Sequence, residues 1–262
     1  MRGDDSVMLL DRFYNKYIIK GTLIADTPIH IGSGEESFDP VQVDNSVIRD
    51  SNGNPYIPGS SLKGVLRSYL ETLLISGVDE RFNACLIVNE PCLDNDDVKS
   101  IKETCKSSQS NQNVDRLVAE EIYKKMCTVC RIFGNQYFAS KLVVNDCTLK
   151  EDKAYVERRD GVGIDRDTGT AADKKKYTFE QLAAGAKFDF CMTVDNLEPE
   201  YEELLKLMIN VLKSGELRVG GKTSVGLGCI RLTDVSAYKI EHKNLKQYLL
   251  EGLKDEMRWQ YV

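Results

Sequence analysis

Set aside two polar insertions and this 262-residue chain reads strand, helix, strand, strand, helix, strand, which predicts an α+β domain. Three observations carry the prediction. Residues 17–25 (YIIKGTLIA), 141–149 (KLVVNDCTL), 187–194 (KFDFCMTV) and 229–240 (CIRLTDVSAYKI) are β-branched or alternating runs of strand length. Leu62, Val65, Leu66, Tyr69, Leu70, Leu73 and Leu74 recur at helical spacing, as do Leu204, Leu205, Met208, Val211 and Leu212. The segments between these runs are polar and carry the turn residues.

The first strand, 17–25, is prolonged by 28–31 as an edge and broken by Gly32-Ser33-Gly34. A carboxylate-bearing loop over 35–46 follows. Residues 47–50 resume an extended segment, which Asn52-Gly53-Asn54-Pro55 folds back toward Tyr56-Ile57 as a short hairpin. Pro58-Gly59-Ser60-Ser61 then predicts a serine-capped helix start. The second helix, 198–213, has acids in its first turns and Gly215 just past its end, both suited to the helix dipole and cap. The last core strand, 229–240, is followed by a closing helix over 244–257, with Trp259 packing the tail. That order is the ferredoxin-like/RRM-like core, βαββαβ, in one domain over 1–262.

No run approaches the ~20 apolar residues of a membrane span, and no basic start precedes an apolar stretch, so a cytoplasmic protein is expected. Eight cysteines in such a protein are expected to be reduced. The net charge of −6 argues superficially against nucleic acid, but it is unevenly placed. Residues 89–121 hold eight acids against four bases and 195–206 five against one, which leaves the remainder slightly positive. Eight Lys and Arg fall between Lys153 and Lys187, and four between Lys213 and Arg231.

The first insertion, 80–135, is acidic and poor in aliphatics, contains the polar string 107–113 (SSQSNQN), and carries Cys85, Cys92, Cys105, Cys127 and Cys130. Cys127-x-x-Cys130 supplies two thiolates from one turn, and a second pair would complete a tetrahedral zinc site that orders a segment with little core of its own. Cys92, Cys105, Cys127 and Cys130 are the expected ligands, with Cys85 the replacement; the plain alternative is scattered free thiols. Val114, Leu117, Val118, Ile122 and Met126 predict one amphipathic helix here. The second insertion, 155–186, alternates cations with glycines and small apolar residues, as a projecting hairpin does.

Two stretches suit phosphate. The helix start offers backbone N–H groups, Ser60, Ser61, Lys63 and Arg67, although an ordinary N-cap has the same look. The loop 220–228 (GGKTSVGLG) lets the backbone approach a ligand and adds Lys222, Thr223 and Ser224, but lacks the spacing of a nucleotide-binding P-loop. His30, one of two histidines, reads as a hydrogen-bonded structural residue at a strand end.

The strings HIGSG, VDNSVIRD and PYIPGSSLKGVLRS, with CTVCRIFG and GGKTSVGLG later in the chain, resemble the RAMP superfamily, the backbone subunits of type III CRISPR effector complexes and their derivatives. The resemblance implies a guide CRISPR RNA, a target RNA, copies of the same chain along the guide and other effector subunits as partners. It implies RNA contacts for Arg49, Ser60, Ser61, Lys63 and Arg67, and for Gly220, Gly221, Lys222, Thr223 and Ser224. The hairpin corresponds to a thumb wedged into the guide–target duplex, with Arg159 and Arg166 at phosphates or bases and Val162 and Ile164 pushing bases apart. Asp44 matches the aspartate associated with target RNA cleavage, where it would hold Mg2+ or Mn2+; Asp39 and Asp50 are the next carboxylates. Two other readings stay open: a purely structural guide-RNA scaffold, and a zinc-stabilised protein-interaction module using the acidic insertion.

Overall fold

The computed structural model describes residues 7–32, 46–107, 114–150 and 154–261. In chain order these form β1 (Asn15–Ala25), α1 (Gly59–Ile75), α2 (Asn95–Ser107), α3 (Val114–Lys125), α4 (Thr128–Phe133), β2 (Leu142–Val144), β3 (Val156–Ile164), β4 (Ala171–Leu182), β5 (Lys187–Asp195), α5 (Glu202–Ser214), β6 (Ile230–Glu241) and α6 (His242–Glu251). The architecture is mixed α+β with antiparallel sheets: four strands in the order β2-β5-β1-β6, and a separate two-stranded ribbon of β3 and β4.

Alternation along β1 decides which way the large sheet faces. Tyr17, Ile19 and Leu23 pair with Val194, Met192 and Phe188 of β5, and all six are fully buried. Leu62, Leu66, Leu70 and Leu74 of α1 and Leu204, Leu205, Met208 and Leu212 of α5 join them in one core cluster. Each such burial contributes roughly 1.5–3 kcal/mol. On the opposite face Ile18, Ile240 and Met257 form a small second cluster under Leu245 and Tyr248 of α6. Between Lys20 and Thr22 the β1–β6 register shifts, and Gly21 allows it, since a Cβ there would fall 2.7 Å from the Thr233 carbonyl.

Four element boundaries differ from the sequence expectation. Helix α1 begins at Gly59 behind Pro58, with no side-chain cap from either serine. Instead the Asp146 carboxylate accepts from Gly59 N at 2.8 Å, a long-range cap that local pattern does not reveal. The strand expected over 141–149 narrows to Leu142–Val144, although Cys147 and Leu149 still bridge to Ile57 and Phe188. The closing helix stops at Glu251, because Gly252 turns into positive φ, and 255–257 is a short 3-10 turn. The hairpin over 47–57 reduces to an Arg49–Pro55 bridge around a turn in which Asp50 Oδ1 accepts from Asn52 N and Asn54 N.

The insertion over 80–135 is fused to the main core. It adds α2 and α4 to the expected helix α3, and Val98, Ile101, Ile122, Met126, Val129, Ile132 and Phe133 belong to the same apolar cluster as the sheet. Residues 108–113 of the polar string lie outside the described residues. A buried ion pair ties the insertion down. Lys141 Nζ, with a side chain 0% exposed, lies 2.8 Å from both Glu198 carboxylate oxygens, Asn196 O and Tyr123 OH. Burial pulls its pKa down to about 8 against the attraction of Glu198, so it is still charged at neutral pH. Among the described residues no helix is long and apolar enough to cross a membrane.

Lys141→Met leaves the buried Glu198 carboxylate and the Asn196 carbonyl without their cation, and is expected to destabilise by about 3–5 kcal/mol. The double change Lys141→Met with Glu198→Met recovers much of that loss, a difference that urea denaturation of both variants measures.

Candidate nucleic-acid interface and metal centre

Four segments distant in sequence meet at one corner of the fold. Ile29 pairs with Leu182 at the base of the β3–β4 ribbon, and Gly32 pairs with Val47. His30 is buried there: Nδ1 lies 2.6 Å from the Glu180 carbonyl, and the ring packs edge-on against Phe179 at 5.5 Å. It is therefore the structural histidine its context suggests. The Glu180 carboxylate accepts from Val47 N and from Arg49 Nη2, both at 3.3 Å. Arg49, expected at RNA, thus has an intramolecular acid as partner and also donates to Gly53 O.

The glycine loop closes the corner. Gly220 has φ +81°, and a Cβ there would fall 2.2 Å from the His30 carbonyl, so only glycine permits this approach. Gly221 N donates to the same carbonyl at 2.8 Å. Lys222 then takes a left-handed conformation, and its ammonium stands 4.6 and 4.4 Å from the Tyr177 and Phe179 ring centroids. Thr223 and Ser224 follow in a 3-10 turn, with Ser224 exposed. Arg218 donates to the Gly226 and Leu227 carbonyls and holds the far side of the loop. Tyr177 and Phe179 were not singled out in the sequence, although their alternation in a strand was a usable signal.

The ribbon pairs from Val156–Leu182 to Ile164–Ala171 and ends in a turn where Asp165 Oδ1 accepts from Asp167 N and Thr168 N. At its base Phe179 and Leu182 are buried. Farther out, Val162 and Ile164 are 47% and 59% exposed, and Arg159 and Arg166 are exposed beside them. Apolar side chains held in water on a two-stranded ribbon form a surface that gains by covering.

The start of α1 is less open to an anion than its sequence suggested. Asp146 occupies Gly59 N, and the N–H groups of Ser61 and Leu62 return to the Pro58 carbonyl. Ser60 is exposed and Ser61 half-buried. Lys63 is half-buried, and its pKa is lowered by desolvation and then by the neighbouring Arg67 charge. It has no ion pair among the described residues. Arg67 is turned inward to Glu71, Gly134 and Cys130, so it is not displayed with Lys63. Asp39 and Asp44 lie outside the described residues; Asp50 serves the turn above.

The cysteine cluster comprises Cys85, Cys92, Cys127 and Cys130, whose sulfurs lie within 4.8 Å of one another. Cys105 is corrected out of the set: it lines the buried face of α2 with Val98 and Ile101, in the apolar core. Cys85 takes its place through a tight turn closed by Glu90 N donating to Leu86 O at 2.7 Å, which returns the chain at Cys92. Cys127 and Cys130 open α4, where Cys127 Sγ accepts from Cys130 N. The Cys85 sulfur is 3.6 Å from both Cys127 and Cys130, close to the ~3.8 Å edge of a tetrahedral site with Zn–S bonds of about 2.3 Å. Hydrogen bonding from Cys130 pulls Cys127 down to about 5, and burial pushes Cys85 up to about 11. Four sulfurs, with no carboxylate grouped among them in the described residues, and backbone donors at Cys127 and Cys85 fit a soft tetrahedral cation such as zinc.

The model of the RAMP superfamily matches residues 22–231. The chain is 29% identical over 231 residues to the CRISPR system Cms endoribonuclease Csm3 of Methanocaldococcus jannaschii, covering 84% of this chain and 79% of that protein. It is 28% identical over 264 residues to the Csm3 endoribonuclease of Methanothermobacter thermautotrophicus, covering 90% and 86%. A shorter stretch of 50 residues, 19% of this chain and 14% of that protein, is 44% identical to the Cms protein Csm5 of Streptococcus thermophilus. With the match running from within β1 into β6, across both insertions, the chain belongs to the RAMP superfamily.

Proposed function

We propose that this chain is a guide-RNA-holding backbone subunit of a type III CRISPR effector that presents complementary target RNA and cleaves it through Asp44. The observation that carries this reading is the likeness to Csm3 endoribonucleases along most of both chains, joined to the corner where the glycine loop, the ribbon base and the ends of the Asp44 loop converge. Partners are the guide RNA, the target RNA, further copies of the chain and other subunits of the complex. The chain-order and strand-order patterns support reading the core as ferredoxin-like, βαββαβ, with the first insertion as a zinc-binding module and the ribbon as the thumb.

Guide holding needs grip without sequence choice, which cations and backbone donors at phosphates supply while base pairing selects the target. Lys222, Thr223, Ser224, Lys63 and Ser60 are suited to this by exposure or by lack of an acidic partner among the described residues. Arg49 and Arg67 are less suited, since each already has a carboxylate partner. Val162 and Ile164 on the ribbon would separate neighbouring bases, with Arg159 and Arg166 at the flanking phosphates. Asp44 would hold a divalent cation, which when bound supplies charge stabilisation at the scissile phosphate. Cys85, Cys92, Cys127 and Cys130 would hold a structural zinc that braces the turn over 85–92 against α4.

In the guide-loaded assembly, Asp44→Ala is expected to abolish regularly spaced, magnesium- or manganese-dependent cuts in a labelled target while target binding is unchanged; cuts that persist would remove Asp44 from catalysis. Lys222→Ala and Lys63→Ala should each weaken RNA binding about equally for all sequences, and each should lower the salt dependence of log affinity by roughly one phosphate contact. Elemental analysis should find one zinc per chain, lost in Cys85→Ser and kept in Cys105→Ser; metal retained by the first variant or lost from the second would overturn the ligand set.

A further inference from the structure

Arg67 is the cation the sequence placed beside Lys63, yet its side chain is only 15% exposed and each of its donor nitrogens has an acceptor. Nε donates to Glu71 Oε1 at 2.7 Å, Nη1 to the Gly134 carbonyl at 2.8 Å and Nη2 to Cys130 Sγ at 3.1 Å. The three acceptors belong to α1 itself, to the turn that ends α4, and to the cysteine cluster. A planar guanidinium holds three such partners in a fixed fork, which a flexible ammonium does not.

Its contact with Cys130 is shorter than the 3.6 Å separations among the sulfurs. Four thiolates around one zinc leave a net charge of about −2, and hydrogen bonds to ligand atoms from outside the site set both their orientation and the metal affinity. Among the described residues, donors to the cluster include the Cys130 backbone N–H at Cys127, the Cys92 backbone N–H at Cys85 and the Arg67 side chain at Cys130. Lys63 lies one turn before Arg67 on the same helix face.

We propose that Arg67 is a positioning residue of the cysteine metal centre, orienting the Cys130 sulfur for coordination and tying the loaded site to α1, so that metal occupancy orders the helix turns presenting Ser60 and Lys63. The proposal rests on the zinc reading of the cluster and extends it: the metal braces the first turns of α1 as well as the insertion. The path is one hydrogen bond from sulfur to guanidinium and one helix turn from Arg67 to Lys63. Glu71 restrains the guanidinium from the other side.

The test compares the full chain with Arg67→Met, Arg67→Lys and Glu71→Gln in three measurements: the absorption spectrum on Co2+ titration, zinc affinity by competition with a chromophoric chelator, and amide hydrogen exchange over residues 59–70 with and without zinc. All four proteins should give the spectrum of a tetrahedral four-thiolate site. Zinc affinity should fall about 10–100-fold in Arg67→Met, recover partly in Arg67→Lys and stay near the parent value in Glu71→Gln. Removing zinc should quicken exchange over 59–70 in the parent chain, whereas in Arg67→Met exchange should be fast with or without the metal. Parent-like zinc affinity in Arg67→Met overturns the proposal, as does a Glu71→Gln variant that loses as much as Arg67→Met, which assigns Arg67 to the helix ion pair alone. A parent chain without the four-thiolate spectrum overturns it by removing the zinc reading itself. Should Arg67→Met not fold, Arg67→Gln takes its place under the same expectations.

Discussion

The pairing of β1 with both β5 and β6 is the constraint on which the rest of the molecule depends. Its partners lie 163 to 226 positions away along the chain, so three widely separated stretches close on one another to form the base on which both insertions stand. The entropy of that closure is offset by apolar burial on one face of the sheet, where Tyr17, Ile19, Leu23, Phe188, Met192 and Val194 meet the leucines of α1 and α5. Because the side-chain period of a strand is two, a one-residue slip would expose that whole set, so register and core formation are the same event.

The two insertions are anchored by different physics. The ribbon enters and leaves beside Ile29, and its packing is confined to its base, where Phe179 and Leu182 are buried while Val162 and Ile164 stand in water. The insertion over 80–135 instead shares its apolar residues with the main core and sends Tyr123 to the buried Lys141–Glu198 pair. A buried ion pair contributes little net stability, but it admits few alternative geometries. The cysteine cluster therefore sits on a segment that shares the apolar core with α1.

Much of this organisation was legible. The four strands of the large sheet, the two long helices, the projecting ribbon and the helix from Val114 all followed from local period and turn chemistry. Reading the insertion as poor in core was less successful, because Val98, Ile101 and Cys105 in α2 are sparse along the chain and become a core only once α2 packs against α3. The same sparseness led to Cys105 as a ligand ahead of Cys85. Spacing reports that Cys127 and Cys130 share one helix turn; it does not report which thiols a distant turn returns to them.

By itself the sequence determined the fold class, the place of the glycine loop, the four thiols' neighbourhood and the family, because strand alternation, helical period, turn residues and motif strings are local properties of the chain. Tertiary structure alone decided that Asp146 caps α1, that Arg49 belongs to Glu180, that Lys222 rests on Tyr177 and Phe179, and that Arg67 donates to Cys130. Each of those is a charged or polar group choosing a partner from another segment. That choice depends on distance and burial after folding, and no local pattern encodes it.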